Sequence, residues 1–227
     1  MLLLVTILVV GAYILLPPLL DNLVARNLQS RLGLDRAPEV SLEGDSASPL
    51  TGKFDGGRVV LPGLDLGGVR SEESSVELAP FDLDVPGSLA SGQLQTRTPL
   101  SGTLHMELSE AEVTRLAKTG AMSFPVSNVD LGEGVATVSS EVVVLGQSIP
   151  VSVEGTLDLQ NNSLVFEPRT VEAFGVKVPD RLTGRLLQGT SFVYPIESLP
   201  AGDRFTGVEV QKDQLILTGE IDNLALS

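Results

Sequence analysis

The segment Ile149-Pro150-Val151-Ser152-Val153-Glu154-Gly155-Thr156-Leu157-Asp158-Leu159 alternates apolar and polar side chains at a period of two. That is the pattern of a β-strand with one buried and one wet face. Val151, Val153 and Leu157 fall on one side, Ser152, Glu154 and Asp158 on the other. The same period runs through Phe81, Leu83 and Val85 around Asp82 and Asp84, and through Leu104, Met106 and Leu108 around His105 and Glu107. Weaker runs at Val40 to Leu42, Arg58 to Leu66, Val76 to Leu78, Val126 to Leu131, Val135 to Leu145, Leu164 to Phe166, Val171 to Val178, Val208 to Val210 and Leu215 to Ile221 read likewise. Turn signals separate them, among them Gly132-Glu133-Gly134, Gln160-Asn161-Asn162-Ser163 and Lys212-Asp213-Gln214.

Helical spacing appears in three places. Leu20, Leu23, Val24, Leu28 and Leu32 recur with polar residues between them and Gly33 after them, which predicts an amphipathic helix. It either packs on the body or lies at a membrane interface. Ser109-Glu110-Ala111-Glu112 has capping-box spacing and leads into Val113, Leu116 and Ala117 before Gly120. A further helix is expected from about Pro179 through Leu182, Leu186 and Leu187 to Gly189. Many antiparallel strands and few helices predict an α+β fold, mostly antiparallel β, built as one strongly bent sheet or partial barrel with helices packed on it. With no linker-like stretch, residues 20–227 read as a single β-rich domain. Gly102-Thr103-Leu104 recurs as Gly155-Thr156-Leu157, a trace of an internal repeat.

Residues 1–19 read as a membrane anchor or uncleaved signal. Leu2 to Leu16 is apolar apart from Thr6 and Gly11, the first charge is Asp21, and no small-residue cleavage site follows. Arg26, Arg31 and Arg36 on the C-terminal side would by themselves place the body in the cytoplasm. The opening Met1-Leu2-Leu3-Leu4, bare of basic residues, leads to the expectation that the natural start lies upstream.

Composition excludes several functions. A net charge of −14 repels nucleic-acid backbones and anionic headgroups alike. Any lipid contact must therefore be apolar. Hydrophobic residues make up 42% of the chain and aromatics only 4%, so a buried lining would be of Val, Leu and Ile. There is no Cys, and His105 is the only histidine, so thiolate chemistry and a His-rich metal site are excluded. Asp82 and Asp84 share a strand side as a catalytic pair might, but a wet face explains them. No glycine-flanked serine, phosphate-binding glycine loop or dinucleotide fingerprint occurs. We expect no enzyme, metal or cofactor.

The C-terminal third is more distinctive. Val171-Glu172-Ala173-Phe174-Gly175-Val176-Lys177-Val178-Pro179 is followed by Phe192-Val193-Tyr194-Pro195-Ile196, Leu199-Pro200-Ala201-Gly202, Val208-Glu209-Val210 and Leu215-Ile216-Leu217-Thr218-Gly219. This run resembles the end of the LmeA family of actinobacterial and cyanobacterial envelope proteins, named for a lipomannan elongation factor. Leu50-Thr51-Gly52-Lys53-Phe54-Asp55 resembles the family's segment after its first strand. The likeness covers nearly the whole chain and departs at Gln214, where Gly is expected, and at the charged Asp203-Arg204-Phe205.

The resemblance implies a fold akin to tubular lipid-binding (TULIP-like) domains. It implies an N-terminally anchored protein on the extracytoplasmic side of the plasma membrane. Its ligand would be a phospholipid, phosphatidylinositol among the candidates, and its role would be in envelope glycolipid or polysaccharide assembly beside a membrane glycosyltransferase. Candidate lipid-lining residues are Phe81, Leu83, Val151, Val153, Leu157, Phe166, Phe192 and Tyr194, each of which either lines a cavity or fills a core. An envelope scaffold without lipid cargo is the alternative function, and a carboxylate-dependent hydrolase a third.

Overall fold

The computed structural model describes residues 18–30, 34–66, 68–120, 125–144, 146–179, 192–196 and 203–224. The expected anchor over residues 1–19 and the expected helix over 179–189 fall almost wholly outside them. Among the described residues no helix is long and apolar enough to cross a membrane. They are mostly antiparallel strand with few helices, the α+β class the period of two predicts, and they form no closed barrel.

The chain divides into two compact units. The first comprises described residues up to Leu64, Glu73–His105 and those from Glu220 onward. It opens with a helix over residues 18–30 (α1), followed by strand β1 (Glu39–Glu43), helix α2 (Ser48–Thr51), β2 (Lys53–Phe54) and β3 (Gly56–Pro62). β4 (Asp65–Leu66) and β5 (Val69–Arg70) form a hairpin that belongs to the second unit. The first unit resumes with β6 (Glu73–Leu78), β7 (Phe81–Asp82), α3 (Val85–Ser91) and the first part of β8 (Leu100–Ser109). Strands β1, β3, β6 and β8 lie side by side in that order. Leu20, Val24 and Leu28 of α1 are buried, so its apolar stripe is packed.

The second unit comprises Asp65–Glu72 and Met106–Gly219. It adds α4 (Glu110–Thr119), β9 (Asn128–Leu131), β10 (Ala136–Val144), β11 (Gln147–Gln160), β12 (Ser163–Ala173), β13 (Val176–Lys177), β14 (Phe192–Pro195), β15 (Arg204–Gln211) and β16 (Gln214–Leu224), whose last residues return to the first unit. Its main sheet runs β13-β12-β11-β10-β9, with β14 also paired to β12. The turn signals act as expected: Asn161 and Asn162 have φ of 51° and 57°, the left-handed pair a two-residue hairpin requires.

Four sequence readings are corrected. Phe81 to Val85 is not one strand: β7 stops at Asp82, Leu83 makes only an isolated bridge to Thr96, and Pro86 starts α3 in its first turn. Arg58 to Leu66 is broken at Gly63, where φ is 70°. Conversely, Leu164 to Phe166 and the start of Val171 to Val178 belong to one strand, β12. Its register against β11 slips by one residue between Glu154/Gly155, leaving Arg169 as an extra residue. Ser109 and Glu112 form no capping box, because Ser109 makes no side-chain cap bond and Glu112 is engaged elsewhere.

Candidate functional site

The β12 bulge decides which residues share a face. Val153 pairs with Val171 before it and Leu157 with Phe166 after it, so the slip keeps apolar residues of both halves of β12 on one side. Val153 also pairs with Val138, and Val138 with Val129. Val129, Val138, Val153 and Val171 thus form one row across four strands, each no more than 3% exposed. A second row runs Leu157, Phe166, Phe192 and a third Leu159, Leu164, Tyr194. The structure therefore brings Val151, Val153, Leu157, Phe166 and Tyr194 to one face of one sheet, with Phe192 at the register position opposite Phe166.

Gly155 marks a tight point in this packing. A Cβ at Gly155 would lie 2.8 Å from the Phe166 ring and collide with the Glu167 carbonyl oxygen. The ring covers the strand at that point because no side chain competes for the space. Gly102, in the matching tripeptide of the first unit, abuts the Glu77 carbonyl in the same manner, and Leu104 and Leu157 are both buried. The recurring tripeptide thus has one structural meaning in both units.

Helix α4 closes the free edge of the sheet. On β9, the Val129 N–H donates to the Thr114 hydroxyl at 2.9 Å and the Leu131 N–H to the Glu110 carboxylate at 2.6 Å. Both outward donors of the edge strand are thereby satisfied by side chains. Glu112 ties the same helix to the β4–β5 hairpin. It accepts from Arg115 Nε and Nη2, at 2.7 and 2.6 Å, and from the Arg70 backbone N–H at 2.8 Å, while Arg115 also donates to the Gly68 carbonyl. Partial burial by itself would raise the Glu112 pKa. The hydrogen bonds from Arg115 and Arg70 and their positive charges outweigh it and hold the carboxyl below its ordinary value.

Phe81 and Leu83 lie in the first unit, both buried. Phe81 stacks on Phe54 with ring centroids 5.3 Å apart and planes at 17°. Phe54 lines a pocket of about 340 Å³ with Leu20, Asp21, Leu42, Asp45 and Ser48. Sequence reasoning missed this pocket: periodicity registers α1 and β1, but α2 and β2, which complete the walls, are too short to give a periodic signal. Burial raises the Asp21 pKa, partly offset by the hydrogen bond from the Leu42 N–H. Asp45 accepts from the Ala47 N–H and the Ser48 hydroxyl. The pocket is smaller than a diacyl lipid, its carboxylates repel a phosphodiester, and both are engaged locally. The second unit's sheet offers a larger, uncharged apolar face.

Along that face burial falls off toward one end. Ser140 is 3% exposed but Val142, two residues on, is 37% exposed. On β11, Val153 is buried whereas Val151 and Ile149 are half-buried.

A family model described as LmeA-like phospholipid-binding matches residues 11–220. Comparisons with curated proteins and with solved structures give no significant match.

Proposed function

The chain belongs to the LmeA-like phospholipid-binding family, and from that premise we propose that it binds a phospholipid with an acyl chain against the apolar face of the second unit's sheet. The observation that carries this site is the register, which aligns Val151, Val153, Leu157, Phe166 and Tyr194 on one face and sets Phe192 opposite Phe166 in the pairing. Burying acyl chain is worth about 0.8 kcal/mol per methylene, but the bilayer supplies the same gain. Binding is near neutral only where the protein keeps the chain equally dry, as a lining of Val, Leu and Phe does. Phe81 and Leu83 belong, in this reading, to the matching apolar interior of the first unit.

The finer reading places the protein on the extracytoplasmic side of the plasma membrane, tethered through residues 1–19, in a fold akin to tubular lipid-binding domains. Phosphatidylinositol is a candidate ligand, and the role is in envelope glycolipid or polysaccharide assembly beside a membrane glycosyltransferase. The family is a lipid-binding one, not an enzyme family.

A phospholipid with a photoactivatable group on its acyl chain tests the site. Crosslinking to the full chain should label peptides covering residues 149–173 and 192–196, and excess unlabelled phospholipid should suppress it. Labels confined to other segments, or labelling indifferent to competitor, would overturn the assignment.

A further inference from the structure

The open end of the apolar face leads to two hairpin tips, and we propose that they form a docking element through which the protein touches the bilayer that supplies its lipid. This rests on the phospholipid-binding reading above, and adds where the membrane is met. The β10–β11 hairpin carries Val142 and Val143, 37% and 70% exposed, and the β12–β13 hairpin carries Phe174 and Val176, 66% and 68% exposed. The register makes them neighbours: Glu141 pairs with Pro150, and the Pro150 carbonyl accepts the Phe174 N–H at 3.2 Å. Val142 pairs with Ile149 on the face that holds Val138 and Val153, and Val176 pairs with Ala173, which pairs with Val151. The lining is thus continuous with its exposed rim. Val143 projects from the opposite face, so the tip is apolar on both sides.

Three further observations select a bilayer as the occupant. From Val142 to Val153 the chain has no charged residue, and none occurs from Ala173 to Val176, although 19% of the whole chain is charged. Glu141, Glu172 and Lys177 stand just behind the tips, where charged groups can stay wet while apolar neighbours insert. Second, Phe174 has φ of 54°, whereas the other described non-glycine residues in that region are Asn161, Asn162 and Asp213, types that tolerate it. The bulky side chain is held outward in a costly conformation, while Phe54, Phe81, Phe166 and Phe205 are all buried. Third, four such side chains expose on the order of 400 Å². That is about half of the roughly 800 Å² each partner contributes to a stable protein interface. Insertion into a bilayer needs no complementary surface, and an apolar tip needs no anionic lipid, which a net charge of −14 would repel.

The chain contains no Trp, so a single introduced indole reports only its own position. Phe174→Trp and, separately, Val193→Trp in the full chain are mixed with phosphatidylcholine vesicles, with and without lipid carrying a spin-label quencher. Val193, 48% exposed, pairs with Val165 near the far end of β12. The expected result is a blue shift and quenching for the indole at position 174, both unaffected by salt, with the indole at 193 unchanged. Water-like emission at 174, or equal responses at both positions, would overturn the docking element. Lipid content of the same preparations, read by mass spectrometry, separates the two readings. Bound lipid with a water-exposed indole at 174 refutes docking alone, and an inserted tip without bound lipid leaves docking standing and refutes the carrier.

Discussion

Gly155 shows how one missing side chain shapes the lining. Its place is taken by the Phe166 ring and the Glu167 carbonyl, and backbone cannot yield as a flexible side chain can. Gly155→Ala should lower stability by about 1–3 kcal/mol, as overpacking does. Gly207→Ala is the control: its Cβ would meet only Thr218, at 3.8 Å, and stability should stay within about 0.5 kcal/mol. Denaturant melts of the two variants distinguish the settings. Charge tests the two faces of β11 in the same way. Val153 is 2% exposed, so Val153→Asp buries a carboxylate and should cost several kcal/mol, on the order of a whole domain's stability. Ser152 is half-buried on the other face, and Ser152→Asp should cost less than about 1 kcal/mol. A wild-type melt for Val153→Asp would show that the face assignment is wrong. This alternation was legible from sequence because period two depends only on neighbours along one strand.

At the scale of elements, legibility ended where long-range partners decide the outcome. The β12 bulge reverses the alternation at Arg169, so sequence showed two weak runs where one strand exists, and only its pairing with β11 restores a common face. Glu112 likewise has the spacing of a capping box, but Arg115 and the Arg70 N–H offer a charged partner and a second bond that the helix start cannot match. The α2 turn is too short for a periodic signal, and the pocket it helps build was therefore missed. The Glu112 contact carries a pH signature. Its folded pKa lies below the unfolded value, so its stabilisation is full above the ordinary glutamate range and fades as pH falls through the depressed value. Glu112→Gln should cost about 1–2 kcal/mol near neutral pH, limited by the 40% exposure of Arg115. The difference from the parent protein should shrink below about pH 4. Thermal melts across pH check the sign, and a gap that widens in acid would refute it.

For the whole molecule, composition constrained the answer through what it excluded. A charge of −14, one histidine and no cysteine set aside nucleic acid, thiolate chemistry and a His-rich metal site, and the strand pattern supplied an apolar face. The expected class, mostly antiparallel β with few helices, agrees with the structure. Its division into two units was not legible, because β8 and β16 each run without interruption from one unit into the other and leave no linker in the sequence. The family, visible in the turn and strand patterns of the C-terminal third, is matched over residues 11–220. The central claim is that this chain holds a phospholipid, and native mass spectrometry of the full chain released from detergent tests it most directly. The account predicts a noncovalent adduct of phospholipid mass that survives transfer and is lost on organic extraction; bare protein from repeated preparations, with no adduct after incubation with phospholipid vesicles, would contradict it.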